Sequence, residues 1–355
     1  MSVIGAELGP SPDGALEMAI GGWSLVTTYG GVPDTWNTKP PLLVWVIAAS
    51  IHGFGSNEWA VRLPSAIASL CTAMLVFAFV AVHLRRPIAA CVSVLLLLAT
   101  PVYMFDHGAR AADYDALLTF FTTGYLLAFL LYLHGPPQDR NRWLALAAAS
   151  IALACLTKSI QGLIFLPAVL AYALMARRAS LLLAVPRVWV AMSAVVGVVV
   201  TYLLLRESAE PGHFANVMGN DLQGRFTSAQ EDNAGGPLYY LTLPPMRSLP
   251  WLVPGLLAAA WLWRTQRDAA RPVAAMLGLV TVFYLVIISV SQTKLPWYAI
   301  PLVPPMAICL ALALDTVMDS IAPRMRMRLF GALTVAASLV LAGVHSAYAE
   351  RQLLS

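Results

Sequence analysis

Apolar residues run through this chain in long blocks separated by short polar joints, and the blocks are long enough to cross a bilayer, which takes about 20 predominantly apolar residues per helix. Ten runs qualify as spans: roughly 62–84, 87–105, 115–134, 142–158, 160–176, 187–205, 249–263, 272–291, 298–315 and 329–347. A shorter run at 41–55 predicts an interfacial or re-entrant helix. The pattern is that of an all-α integral membrane protein. It divides the chain into a polar loop with interfacial helices at 1–61, spans over 62–205, a second polar loop at 206–248, and further spans over 249–355.

Composition closes off the soluble alternatives. Of the 355 residues, 59% are hydrophobic and 11% charged, with mean hydropathy +0.73, against about a quarter charged in an ordinary soluble domain. The net charge of +4 is modest, and no basic surface is present for nucleic acid. Four cysteines, Cys71, Cys91, Cys155 and Cys309, sit inside apolar runs without CxxC spacing or His partners, and are expected to be buried packing residues.

Charge sorts the loops into two sets. Arg85, Arg86, Arg140, Arg142, Arg177, Arg178, Arg187, Arg264, Arg267, Arg271, Arg324, Arg326 and Arg328 make thirteen of the 22 basic residues, and the positive-inside rule assigns their loops to the cytoplasm. The other side holds fourteen of the 18 carboxylates and both long polar loops. Strict alternation therefore puts residues 1–61 outside. Because nothing before Ala6 can insert, the pattern predicts a further transmembrane helix upstream of Met1.

The outer side also collects the residues with chemistry. Asp13 precedes an apolar stretch at 15–20, which predicts a short helix with Asp13 as its cap. Lys39 and Lys294 lie near span ends, where lysines snorkel routinely. Arg110, Asp113 and Asp115 lie between the second and third spans, and the start of a helix there needs only one acid as a cap. Lys158, tightly flanked by apolar residues, must snorkel or pair, buttressing the outer helix ends. His107 and His213 lack ligand spacing for a histidine metal site. Trp251, Trp297 and Tyr298 fit an aromatic belt, and Tyr239 and Tyr240 are candidates to line a groove for a lipid chain.

Five ordered segments carry a family resemblance: D-x-x-x-E-M-A from Asp13; G-G-V-P-D-T-W-N-T-K-P-P-L from Gly30 with F-G-x-x-E-W-A-V-R-L-P-S-A from Phe54; H-G-A-R-A-A-D-Y-D-A-L-L-T-F-F from His107; A-C-L-T-K-S-I-Q-G-L from Ala154; and S-Q-T-K-L-P-W-Y-A-I-P-L-V-P-P from Ser291. Together they resemble the bacterial glycosyltransferases related to protein O-mannosyltransferases and to the aminoarabinose transferases of lipid A, GT-C fold enzymes of the glycosyltransferase 39 group. Two departures stand out. The family's first motif has an adjacent Asp-Glu pair followed by Tyr, whereas here Glu7 and Asp13 are separate and Gly14 follows Asp13. L-T-K-S at 156–159 replaces L-T-K-G, which changes backbone freedom more than chemistry.

The resemblance implies a GT-C bundle of about ten helices in a bacterial inner membrane. Such an enzyme takes a sugar from a polyprenyl-phosphate donor and passes it, with inversion, to an extracytoplasmic acceptor: lipid A, another envelope glycan, a lipid or a protein. Under that reading Asp13 is the general base, with Glu7 as its competitor, Asp115 has a structural or second catalytic role and Asp113 a weaker one. Lys39, Arg225 and Lys294 are the cations for the donor phosphate, while Arg110, Lys158 and Tyr298 support them. Asp13, Asp113 and Asp115 together can hold a divalent metal through oxygen ligands, a dependence that differs among GT-C enzymes. The rival classes are a transporter or flippase and a non-catalytic relative. Nearly charge-free span centres and the absence of an internal repeat argue against transport.

Overall fold

The computed structural model describes residues 11–34, 37–105, 107–219, 235–243 and 249–319, with isolated positions between 321 and 346. Glu7, Arg225 and most of the tenth apolar run lie outside the described residues. What is described is mostly helical. Among the described residues, six helical stretches are long and apolar enough to cross a membrane: Glu58–His83, Tyr114–His134, Pro137–Leu163, Pro186–Ala209, Ala270–Val290 and Pro296–Asp319. The chain is a multi-pass membrane protein.

The first loop folds onto the bundle. Helix α1 (Ser11–Gly21) leads into a ribbon of two-residue strands, β1 (Thr28–Tyr29) and β2 (Val32–Pro33), paired antiparallel. Helix α2 (Leu42–Phe54) is 13 residues long, about 20 Å at 1.5 Å per residue, too short to span. It buries Leu43, Val44, Ile47, Ala48 and Ile51 against Ala15 and Met18 of α1 and against Tyr114 and Leu117 farther along the chain. Asp13 does not cap α1, contrary to the sequence expectation. The helix begins two residues earlier, at Ser11, so Asp13 stands in its first turn, where a carboxylate still favours the helix dipole.

Helix α3 (Glu58–Ala78) starts on Asn57, whose side chain accepts from the Ala60 amide at 3.0 Å, and an Arg62–Glu58 pair at 2.8 Å supports its first turn. Helices α4 (Pro87–Leu98), α5 (Pro101–Met104), α6 (Tyr114–His134), α7 (Arg140–Lys158), α8 (Leu166–Met175), α9 (Ala179–Leu183), α10 (Pro186–Ala209) and α11 (His213–Val217) follow. After the second polar loop come α12 (Leu252–Thr265), α13 (Ala270–Val290), a 3-10 segment Pro296–Leu302 and α14 (Val303–Asp319).

Three of the ten expected spans fall short, and proline is the reason. The 87–105 run stops as α4 because Pro101 lacks an amide hydrogen and pushes Thr100 into an extended conformation (ψ 115°). Pro167 in the first turn of α8 and Pro250 ahead of α12 likewise set helix starts inside their runs. Lipid offers no hydrophobic drive between helices, so contacts rely on close approach of small residues. Gly124 of α6 meets Ser150 of α7, and a Cβ built at Gly278 of α13 would lie 3.0 Å from Ala259 of α12. Of the cysteines, Cys155 and Cys309 are buried as expected, whereas Cys71 and Cys91 are half-buried.

The two charge classes of loop meet at two separate ends. Arg86, after α3, bonds Asp268 ahead of α13 at 2.8 Å and Asp315 near the end of α14 at 3.3 Å. Arg187 bonds Asn141, and Arg178 donates to the Leu133 carbonyl. These contacts join loops of the arginine-rich set to one another. At the other ends of the same helices lies the acidic cluster.

Candidate functional site

The site is built around the first turn of α6. Asp113 is the N-cap: its Oδ1 accepts from the Tyr114 amide at 2.5 Å, and its own carbonyl accepts from Ser65 Oγ of α3 at 3.3 Å. The second carboxylate oxygen, Oδ2, is in hydrogen-bond contact with His107 Nδ1. One turn of chain brings Tyr114 toward the first loop, where Asn37 donates to its hydroxyl at 3.5 Å. Asn37 also accepts from the Lys39 amide at 3.2 Å, so the segment bearing Lys39 is tied directly to the start of α6.

Asp115, one residue into the helix, is buried and faces α7. Lys158, the last residue of α7, donates to both of its carboxylate oxygens at 2.7 Å. This lysine pairs rather than snorkels. Two ions withdrawn from water need this geometry, because an unmatched charge there costs several kcal/mol. The Lys158 ammonium also lies 5.5 Å from the Tyr298 ring centroid, a cation–π contact. The α7 helix ends where Ser159 adopts φ 52° and ψ −134°, a conformation ordinarily left to glycine. The serine of L-T-K-S thus occupies a glycine position.

The late segment Pro296–Leu302 closes the other side. Trp297 stacks on the His107 ring, with centroids 3.5 Å apart and planes 27° from parallel. Tyr284 of α13 fixes Tyr298 by donating to its carbonyl at 2.7 Å. Lys294 is turned inward: its ammonium donates to the carbonyls of Ile288 at 3.1 Å, Ser289 at 2.5 Å and Ser291, at the end of α13. That is a C-terminal cap, favoured by the helix dipole, and it engages the three N–H groups expected to meet a donor phosphate. Burial lowers the Lys294 pKa from its ordinary value.

Asp113 carries a second electrostatic signal. Burial pushes its pKa up, but the His107 hydrogen bond and charge, then Lys158 and the Tyr114 amide, outweigh this and hold it below the ordinary carboxylate value.

The sequence-chosen residues divide into three sets. Asp113, Asp115, Lys158 and Tyr298 are brought together. Arg110 lies beside them on the α5–α6 loop, its guanidinium over the Phe105 ring at 5.6 Å. Asp13 sits on α1, which reaches α6 through the shared apolar cluster of Met18, Ile47 and Tyr114. Glu7 and Arg225 lie outside the described residues. Among the described residues no group of three His, Cys, Asp or Glu side chains is arranged to hold a metal ion. Sequence reasoning missed His107 and Asn37 as site residues. It also read Trp297 only as a belt aromatic, since its partner lies far away along the chain.

An apolar groove of about 210 Å³ opens next to this cluster, between the end of α7, α10 and α11. Pro40, Leu156, Ile160, Tyr202, Phe214 and Met218 are among its walls. Pro40 follows Lys39 in the chain and Ser159, also in the wall, follows Lys158, so two residues next in sequence to cations line the groove.

Comparisons with known proteins follow the same lines. Residues 38–204 match the family model described as dolichyl-phosphate-mannose-protein mannosyltransferase. The chain is 30% identical over 285 residues to an undecaprenyl phosphate-alpha-4-amino-4-deoxy-L-arabinose arabinosyl transferase of Pseudomonas savastanoi pv. phaseolicola, covering 78% of this chain and 51% of that one. A protein of the same description from Shewanella sediminis is 26% identical over 299 residues, 84% of this chain and 53% of the relative. The chain thus spans about half the length of the curated relatives it matches. In fold it is similar to ArnT from Cupriavidus metallidurans bound to undecaprenyl phosphate (TM-score 0.72, 22% identity, 98% of this chain and 68% of that one). It is also similar to the archaeal oligosaccharyltransferase AglB from Archaeoglobus fulgidus in complex with an inhibitory peptide and a dolichol-phosphate (TM-score 0.59, 13% identity, 96% and 51%).

Proposed function

We propose that the chain is a GT-C fold glycosyltransferase that transfers a sugar from a polyprenyl-phosphate donor to an acceptor outside the cytoplasm. The observation that carries this reading is the buried Asp115–Lys158 pair together with an apolar groove whose walls include Ser159, the residue after Lys158, and Pro40, the residue after Lys39. A polyprenyl-phosphate sugar has the matching parts: a long apolar chain, an anion, and a polar group to be moved. The undecaprenyl phosphate of the Cupriavidus structure and the dolichol-phosphate of the archaeal one have the first two of these parts, the chain and the anion.

In the reaction an acceptor hydroxyl attacks the anomeric carbon, the bond from that carbon to the phosphate oxygen breaks, and the configuration inverts. Asp13 takes the hydroxyl proton, a contribution of about 10²–10⁴ in rate, and Glu7 is the competing base. Lys39 and Arg225 stabilise the charge that develops on the departing phosphate. Lys294 serves this step indirectly, by fixing the end of α13 that leads into Trp297 and Tyr298. The Asp115–Lys158 pair sets where α6 and α7 end under the reacting groups, and Arg110 supports the same loop. The active site faces away from the cytoplasm of a bacterial inner membrane, since the arginine-rich loops gather at the opposite end.

The test is donor choice in proteoliposomes. The protein should move label from undecaprenyl-phosphate sugars, pentosyl or hexosyl, and not from nucleotide sugars, giving a product of inverted anomeric configuration by NMR. Transfer from nucleotide sugars, or retention of configuration, would overturn the reading.

A further inference from the structure

Contacts around the first turn of α6 close into a ring. His107 touches Asp113; Asp113 caps the helix that carries Asp115; Asp115 pairs with Lys158; Lys158 lies over Tyr298; and Tyr298 adjoins Trp297, which stacks back on His107. Three separate parts of the chain meet in it: the α5–α6 loop, the end of α7, and the segment Pro296–Leu302. Every member except His107 belongs to a regular element or lies at its edge. His107 is the closing link.

Its geometry suits that task. An ionised carboxylate only accepts, so the His107 Nδ1 facing Asp113 carries a proton and the tautomer is fixed. Stacking on Trp297 fixes the ring plane. Gly108 lets the loop fold tightly enough to bring the histidine there, for a Cβ at that position would meet the Tyr103 carbonyl oxygen at 2.1 Å.

We infer that His107 is a positioning residue, a clamp that holds the Asp113-capped end of α6 against the Trp297–Tyr298 segment and so fixes the reacting side of the site. The inference rests on the glycosyl transfer reading for its kinetic consequence but not for its geometry. The imidazole needs no contact with either substrate. Its removal loosens the distance between the Asp115–Lys158 pair and Tyr298, which slows chemistry while leaving the lipid groove intact.

Two substitutions separate the hydrogen bond from the ring. His107→Phe keeps an aromatic ring on Trp297 and removes the donor to Asp113, whereas His107→Asn keeps a donor near the Nδ1 position. With the undecaprenyl-phosphate sugar that the parent uses, His107→Phe should lower kcat about 10- to 100-fold, the scale of a small misplacement at a reacting centre, with KM for the donor within about twofold. His107→Asn should recover most of the lost kcat. An unchanged kcat in His107→Phe, an equal loss in His107→Asn, or a loss expressed only in KM would overturn the inference.

A second measurement does not depend on activity. In thermal unfolding, His107→Phe should lower Tm in the parent background but add no further loss to Asp113→Ala, because both remove the same contact. Additive losses would refute the clamp even if the parent transfers sugar. Should the parent transfer nothing, the functional reading falls while this cycle still decides the clamp.

Discussion

Ser159→Gly should stabilise this protein, although glycine ordinarily weakens a chain. At φ 52° and ψ −134°, Ser159 holds a backbone conformation in which a Cβ is crowded by its own peptide units, a strain of about 1–3 kcal/mol. Glycine removes the strain and adds unfolded-state entropy costing about 0.5–1 kcal/mol. The net gain is about 0.5–2 kcal/mol, which corresponds to a Tm rise of about 1–6 °C in a chain of this size class. Ser159→Ala keeps the Cβ and with it the strain, so it should give no rise. Thermal unfolding of the parent and both variants in one detergent checks the reasoning. A fall in Tm for glycine, or an equal rise for alanine, would refute the claim that backbone strain at the end of α7 is what the serine costs.

Three further outcomes follow from the buried charges. Lys158→Met should destabilise by about 3–5 kcal/mol by leaving Asp115 unpaired, and the double variant with Asp115→Asn should be more stable than that single one; unfolding midpoints decide, and a double variant no better than the single one refutes it. Arg206→Met should cost a similar about 3–5 kcal/mol, since its ion pair with Glu210 is buried at the end of α10; a change of Tm under a degree would contradict this. Asp113 has its pKa held below the ordinary value, so its ionised form stabilises the fold above that value and the contribution is lost as pH falls through the folded one. The stability gap between the parent and Asp113→Asn should therefore be full above the ordinary carboxylate value of about 3.9 and narrow as the pH drops below it; a gap that widens on acidification would be the wrong sign.

How far the sequence reached depends on the range of the physics involved. Run length is a local, additive signal, and it located the helical bundle and the short helix α2. Helix limits were less legible, because an apolar run does not stop at Pro101 or Pro250 although the backbone does. The existence of α1 was readable, but it starts at Ser11, ahead of the expected cap, which turned Asp13 from a cap into a first-turn acid. Within the site, Asp113, Asp115, Lys158 and Tyr298 were each picked out, yet the pairing of Asp115 with Lys158 across 43 positions depends on α6 packing against α7. The stack of His107 on Trp297 depends on tertiary packing that no periodicity encodes. The contacts of Lys294 were hidden for the same reason, since a lysine at a span end snorkels outward unless helix carbonyls lie within reach, as those of Ile288, Ser289 and Ser291 do.

The central claim is that a carboxylate of the first loop, Asp13, drives transfer from a polyprenyl-phosphate sugar. The most direct measurement is single-turnover transfer of labelled sugar from undecaprenyl phosphate in proteoliposomes, parent beside Asp13→Asn, with insertion and Tm matched. The account predicts transfer by the parent and a loss of about 10²–10⁴ in the variant, the span of general-base catalysis. Undiminished transfer by Asp13→Asn would move the base to Glu7 or Asp115, and a folded parent that transfers nothing would contradict the account itself.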